Sequence, residues 1–406
     1  MLKKINFFQK ITRKILINLL LEMKVGHLSL EEKKDKISIG NKNDIDTFSS
    51  DIQVLDPKVY PRIIKRGTIG ASEAFILNEW ETNNLTTLLR ILLRNKAQFF
   101  KLDGGFAKVW QFFWRYLDKF TRNKPTQSRL NIIAHYDLGN EFFKLFLDPS
   151  LMYSSAIFLQ PTDNLETASE QKLKRICEKL SLKPEHHIIE IGTGWGGFAI
   201  YAASKYGCHV TTTTISEKQY EFTQKRIQDL GLSEKITLLK EDYRNLKGRY
   251  DRLVSIEMIE AVGYEFMDDF VIQCNQLLNS NGMAMIQAIL RPDQKYHQVY
   301  KEVDFIKKYI FPGGCLVSTL FLLEKFAKHS DLRLFDLKDM GYDYAKTLSA
   351  WRESFMVRLP EVRALGFNSE FIRMWEFYLA YCEAGFLERY ITVAQLIFVK
   401  PDYALI

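Results

Sequence analysis

No unbroken apolar run in the 406 residues reaches 18, so no membrane-spanning helix is predicted. The longest apolar stretch, residues 15–21, is broken by Asn18. Cysteine is sparse: Cys177, Cys208, Cys274, Cys315 and Cys382 are widely spread and form no C-x-x-C pair. Without a secretory cleavage signal, they read as reduced thiols in a cytosolic protein. The seven histidines have no metal-ligand spacing, and the adjacent His186 and His187 would point to opposite faces of a strand. No metal site is expected. No internal repeat and no low-complexity segment is present. The net charge of +7 comes without a nucleic-acid motif, so no nucleic-acid partner is expected.

The basic charge is concentrated at one end. Residues 1–24 carry Lys3, Lys4, Lys10, Arg13, Lys14 and Lys24 against Glu22, interleaved with Phe7, Phe8, Ile11, Ile15, Leu16 and Leu19–Leu21. That pattern predicts a basic amphipathic helix suited to an anionic lipid surface. The bland alternative is a domain helix with a solvated basic face. Further on, Ile37, Ile39, Ile45, Ile52 and Val54 stand among polar residues and suggest short strands and turns. Helical patterns follow at 85–95 and 106–120, and the polar stretch 121–128 is the best linker candidate. The length favours two domains. We therefore divide the chain into a small α/β N-terminal domain (1–120), a linker (121–130) and a catalytic domain (131–406).

Residues 187–199, HIIEIGTGWGGFA, are the most informative in the chain. They read as a buried strand, a glycine turn and a helix start. Gly192, Gly194 and Gly196 let a ligand approach bare backbone, and the helix start behind them offers unpaired N–H groups. Glu190 stands two residues before the first glycine. Gly192, Gly194 and Gly197 also satisfy the dinucleotide pattern G-x-G-x-x-G. A dinucleotide site, however, places an acid about 20 residues on, at the end of the second strand. Here that segment is VTTTTIS, residues 210–216, with no acid before Glu217. NAD is disfavoured, and S-adenosylmethionine is the better cofactor. Strands at 187–191, 209–215, 236–239, 252–257 and 283–289, with helices at 217–230 and 266–278, predict a doubly wound, Rossmann-like α/β sheet of the class I methyltransferase kind.

Beyond the glycine turn, several ordered blocks resemble one family. They are AHYDLGNEFF (134–143), MYSSAIF (152–158), TISEKQ (214–219), DYR (242–244), SIEMIEAVG (255–263), DFIKKYIFPGGCL (304–316) and YCEAGF (381–386). The chain resembles the cyclopropane-fatty-acyl-phospholipid synthases and their mycolic-acid relatives over roughly residues 60–400. The resemblance implies transfer of the methyl of S-adenosylmethionine onto a cis double bond of a phospholipid acyl chain. Proton loss from the resulting carbocation then closes a three-membered ring, with bound bicarbonate as the base. It further implies a peripheral enzyme at the inner face of the membrane, and a homodimer is consistent with it.

The resemblance also implies roles for residues. Gly192, Gly194 and Gly196 line the cofactor backbone site, with Glu190 beside them. Tyr153 and Ser154 contact the cofactor from the preceding segment. Thr214, Ile215, Ser216 and Gln219 fit its ribose side, and Asp242 and Tyr243 its adenine side. Glu260 is the active-site carboxylate, and Tyr344 holds bicarbonate. Tyr136 and Cys382 lie near the reacting centre. Glu257, at the same strand end as Glu260, is expected to be a bystander. From composition rather than resemblance, the dense aromatic set Phe305, Tyr309, Phe311, Phe321 and Phe326 is expected to be mostly core, with some members lining an acyl tunnel and facing the cation.

Two positions depart from the family pattern, and both bear on bicarbonate. Ser155 replaces a cysteine, and Gln287 replaces a histidine after the fifth strand. A glutamine can donate but cannot change charge near neutral pH. Two rivals remain: a methyltransferase giving methyl-branched chains or methylating a small amine, and a non-enzymatic lipid- or partner-binding protein with a degenerate site.

Overall fold

The computed structural model describes residues 5–33, 35–96, 138–300 and 302–404. They form two compact units. The first joins the N-terminal residues to Val303–Pro312 and Met356–Glu388, and the second contains Leu138–Glu302, Gly313–Phe355 and Arg389–Ile406. Two segments from the stretch read as catalytic thus group with the N-terminal residues. Specific bonds hold the later one there. Arg373 donates to the carbonyls of Phe75 (2.5 Å) and Trp80 (2.9 Å), and Thr86 Oγ1 donates to Glu383 (2.7 Å). Glu388 accepts from Arg90 at 2.7 Å and from Arg94 at 2.6 Å. The pattern at 106–120, the linker at 121–130 and Tyr136 lie outside the described residues.

In the first unit, β1 (His27–Glu32), β2 (Asp35–Gly40), β3 (Ser49–Val54) and β4 (Trp80–Glu81) form a sheet in the order β2-β1-β3-β4. The isoleucine pattern read as short strands falls on β2 and β3, where Ile39 and Val54 are buried. The N-terminal helix Phe7–Leu21 begins at a capping box: Asn6 accepts from the Gln9 N–H, and the Gln9 side chain accepts from the Asn6 N–H. Ile17 and Leu20 of this helix are buried, and Arg13 Nε donates to the Glu32 carboxylate at 2.8 Å. A different face carries Phe7, Ile11 and Ile15 at spacing i, i+4, i+8, exposed by 79%, 42% and 39%.

The second unit holds the larger sheet. Its strands are β5 (His187–Ile191), β6 (His209–Thr213), β7 (Ile236–Leu239), β8 (Tyr250–Ile256), β9 (Leu278–Arg291), β10 (Val317–Ser318), β11 (Arg333–Asp339) and β12 (Thr392–Val399). The order is β11-β12-β9-β8-β5-β6-β7, with β10 beside β9. Strands β5 to β9 pair in parallel, and β12 is antiparallel to both β9 and β11. After their first residue, β5 and β6 are buried throughout, as expected for central strands covered on both faces. Strand β6 stops at Thr213 instead of 215. Thr214 and Ser216 turn toward the next helix, where the Ser216 hydroxyl caps the Gln219 N–H.

The order of strands makes a crevice. The chain steps from β5 to β6 to β7 on one side, then returns to the other side of β5 with β8. The carboxyl ends of β5 and β8 therefore flank a topological switch point, where doubly wound sheets bind ligands. The glycine turn leaves β5 there, and Glu257 and Glu260 follow β8.

Candidate active site

The glycine turn adopts the backbone that only glycine holds without strain. Gly192, Gly194 and Gly196 have φ of 101°, 54° and 85°. A Cβ on Gly192 would meet Met258 at 3.0 Å and one on Gly196 would meet Thr223 at 2.7 Å, whereas one on Gly194 would meet nothing within 4 Å. Gly194 thus leaves open space above its backbone. The turn is anchored by the Gly192 and Thr193 N–H groups, which donate to the Thr213 carbonyl. Glu190 lies beneath it, 3% exposed, and accepts from Thr212 Oγ1 at 2.6 Å. Burial pushes its carboxyl up to about 8.

The other cofactor-side residues gather at the ends of the next strands. Thr214 Oγ1 donates to Gln219 Oε1 at 2.9 Å and accepts from the Ser216 N–H at 3.1 Å, while Ile215 is 76% exposed at the turn. Asp242 caps the short helix Tyr243–Asn245 and is gripped by Arg244, whose charge-assisted hydrogen bonds hold its carboxyl below the usual range. Tyr243 packs edge-on against Phe270. Tyr153 sits among Phe143 and Trp351, and Ser154 Oγ accepts from the fully buried Lys172 at 2.7 Å. Open backbone at Gly194, a buried acid under the turn and a polar row at Thr214–Gln219 fit S-adenosylmethionine.

Segment 153–158 is tied to the helix Gly341–Val357. The Ala156 N–H donates to Thr347 Oγ1 at 3.0 Å, and the Phe158 N–H to Asp343 at 2.9 Å. That registration brings Ser155 and Tyr344 to one carboxylate, and the carboxylate is Glu257. The Ser155 N–H donates to Glu257 Oε1 at 2.9 Å, Gln287 Nε2 to the same oxygen at 2.7 Å, and the Tyr344 hydroxyl to Glu257 Oε2 at 2.6 Å. The bystander expectation is corrected here: Glu257 is the centre of the cluster. It follows β8 with φ of 49°, a left-handed backbone that a non-glycine residue adopts at a cost of about 1–2 kcal/mol.

Glu260 stands one short helical turn further on. Its Oε1 accepts from the Ile289 N–H at 2.6 Å, and its Oε2 is buried with no hydrogen-bond partner among the described residues. Burial, then the neighbouring Glu257 charge, raises it to about 8. Burial raises Glu257 too, but its three donors oppose the shift. The first proton taken up by the pair therefore belongs on Glu260. Bicarbonate does not fit this cluster. The Ser155, Gln287 and Tyr344 donors expected to hold it already serve a resident anion, and a second anion would face that buried carboxylate.

Cys382 lies on the helix Ser369–Leu387 of the first unit, where burial raises its thiol well above the ordinary range. The aromatic set divides between the units: Phe305 packs on Phe377 in the first, and Phe326 stacks on Phe398 in the second. Sequence reasoning missed Lys172, Arg175 and Gln395. Gln395 had a signal, since it is a lone amide in the apolar strand TVAQLIFV, as Gln287 is in AMIQAIL. The sheet register sets these two glutamines opposite each other.

Comparisons with known proteins identify the family. The family model for mycolic acid cyclopropane synthetase matches residues 123–396. This chain belongs to that family. A tuberculostearic acid methyltransferase of Mycobacterium tuberculosis is 36% identical over 346 residues, 84% of this chain and 80% of that one. The cyclopropane-fatty-acyl-phospholipid synthase of Escherichia coli K12 is 34% identical over 354 residues, 86% of this chain and 88% of that one. A mycolic acid cyclopropane synthase solved with SAH and CTAB superposes with a TM-score of 0.61 at 29% identity, covering 66% of this chain and 97% of that chain. The larger sheet is that of a class I methyltransferase, and the family member described here is an S-adenosylmethionine-dependent enzyme.

Proposed function

We propose that the enzyme builds a cyclopropane ring on the cis double bond of an unsaturated acyl chain in a membrane phospholipid. The observation that carries this reading is the buried carboxylate pair, Glu257 and Glu260, at the switch point of a methyltransferase sheet. When bound, S-adenosylmethionine supplies an electrophilic methyl group. An alkene needs no base to activate it, so the protein's tasks begin elsewhere. It must exclude water, hold the alkene in line and offer negative charge to a carbocation. Glu260 Oε2, an acceptor without a protein partner among the described residues, suits that last task.

A second reading, a methyl-branched product, is supported by the 36% identity to the tuberculostearic acid methyltransferase. One experiment separates the two. The purified enzyme is incubated with S-adenosylmethionine and vesicles of a cis-monounsaturated phospholipid, and the released acyl chains are weighed by mass spectrometry. A gain of one CH₂ with loss of the double bond and no added hydrogen is the expected result. A gain of one CH₂ with a double bond retained would establish branching, because without a hydride donor the methylated cation can only lose a proton, and an unchanged chain would end the lipid reading.

The exposed face of the N-terminal helix supports a peripheral position at the inner, anionic surface of the membrane. Phe7, Ile11 and Ile15 lie beside the exposed Lys10 and Lys14, so apolar insertion and charge attraction act on one surface. Replacing all three apolar residues by Glu is expected to weaken sedimentation with anionic vesicles at least about tenfold, with melting temperature unchanged. Equal sedimentation of wild type and variant would remove the helix from membrane binding.

A further inference from the structure

We infer that Glu257 is this enzyme's own proton acceptor and stands in place of an exogenous bicarbonate. The inference rests on the lipid reading above. It starts from the three donors around Glu257, which make an anion site that the chain fills itself. A second layer fixes the direction of these bonds. Arg175 Nε donates to Gln395 Oε1 at 3.0 Å, Gln395 Nε2 donates to Gln287 Oε1 at 3.0 Å, and Gln287 Nε2 donates to Glu257 at 2.7 Å. An arginine side chain can only donate, so each amide downstream is held with its carbonyl toward the arginine and its NH₂ toward Glu257. This chain of amides favours Glu257 as an anion, and nothing in it would offer an acceptor to a protonated carboxyl.

Charge completes the arrangement. Lys172 is fully buried, and its attraction to Glu257 opposes the burial that lowers the lysine to about 8. A cation held out of water near a carboxylate stabilises the ionised acceptor. The left-handed backbone of Glu257 is a second sign of function, since strain at a non-glycine residue persists only where the surroundings enforce it. The Glu257 N–H supplies part of that enforcement by donating to the Gln287 carbonyl at 2.8 Å.

The step balances with the groups on hand. In the methylated acyl cation, a C–H bond of the new methyl breaks. Its electron pair forms the second carbon–carbon bond of the ring, which discharges the neighbouring cationic carbon. The proton passes to a Glu257 oxygen, giving a neutral carboxylic acid that later returns it to water. Arg175 and Gln395 act only through Gln287 and are positioning residues.

The test pairs turnover with a binding measurement that needs no lipid. Wild type is assayed in buffer scrubbed of carbon dioxide, and broadening of the ¹³C-bicarbonate signal is recorded for wild type and Glu257→Gly, whose backbone suits glycine. Expected results are undiminished turnover without bicarbonate, no broadening with wild type, and broadening with Glu257→Gly. Glu257→Gln, checked for folding by calorimetric binding of S-adenosylmethionine, should lose at least about tenfold in turnover. Bicarbonate-dependent wild-type turnover, bicarbonate binding by wild type or by neither protein, or full activity of Glu257→Gln would each overturn the inference. If no lipid product forms under any condition, the lipid reading fails instead, and the bicarbonate signal alone decides whether Glu257 fills the anion site.

Discussion

Glu260→Gln is expected to cut turnover at least a hundredfold and to leave S-adenosylmethionine affinity within about twofold, the scale of losing one electrostatic group in a site. The substitution keeps shape and volume. The Ile289 N–H still needs an acceptor, so the new amide presents its carbonyl there. Its NH₂ then falls where Oε2 stood, and a developing carbocation meets a donor in place of an acceptor. The ionised carboxylate is the active form, yet burial and Glu257 raise Glu260 to about 8. Wild-type kcat/KM should therefore climb as pH rises toward about 8, where the Lys172 charge begins to be lost and the rise ends. Glu190 is also raised to about 8, so the variant decides the assignment. Residual Glu260→Gln activity should lack this limb if Glu260 is its source. Turnover close to wild type would remove Glu260 from the mechanism.

Gly194→Val should weaken S-adenosylmethionine binding at least about a hundredfold by isothermal titration, a loss of about 2.7 kcal/mol. Two effects combine. At φ of 54°, a β-branched side chain is strained, and the valine would project into the open space above the turn. Gly231→Val supplies the control. Gly231 has φ of 66° and equally open surroundings, but it follows the helix Glu217–Asp229 at the end opposite the Ser216 cap. It should lose stability without losing affinity. Equal affinity losses in both variants would show that strain, and not occlusion of the cofactor, weakens Gly194→Val.

Much of the second unit was legible before any coordinates. Strands at 187–191 and 236–239 form over those residues, because central strands carry continuous apolar or β-branched runs bounded by turn residues. Strand β9 runs longer than the predicted 283–289, from Leu278 to Arg291, because Leu278 pairs with Tyr250 of β8 and Leu290 with Thr392 of β12, contacts made across the fold that no local pattern shows. The N-terminal helix was visible in its spacing. That Ile17 and Leu20 turn inward while Phe7, Ile11 and Ile15 remain exposed was not, because spacing shows apolar faces without showing which one the protein covers.

The sequence by itself determined the local pieces. The glycine turn, the missing acid after the second strand and the family blocks each depend on residues close together in the chain. Only the tertiary structure decided how the two carboxylates differ. Glu257 and Glu260 are three residues apart, but their partners come from Ser155, Gln287, Ile289 and Tyr344, brought together by a sheet crossover and a returning helix. A carboxylate's ionisation and hydrogen bonding follow from what surrounds it in space, and spacing along the chain does not encode those surroundings. The same reason explains the grouping of 356–388 with the N-terminal residues, since Arg373, Glu383 and Glu388 find partners nearly 300 residues earlier.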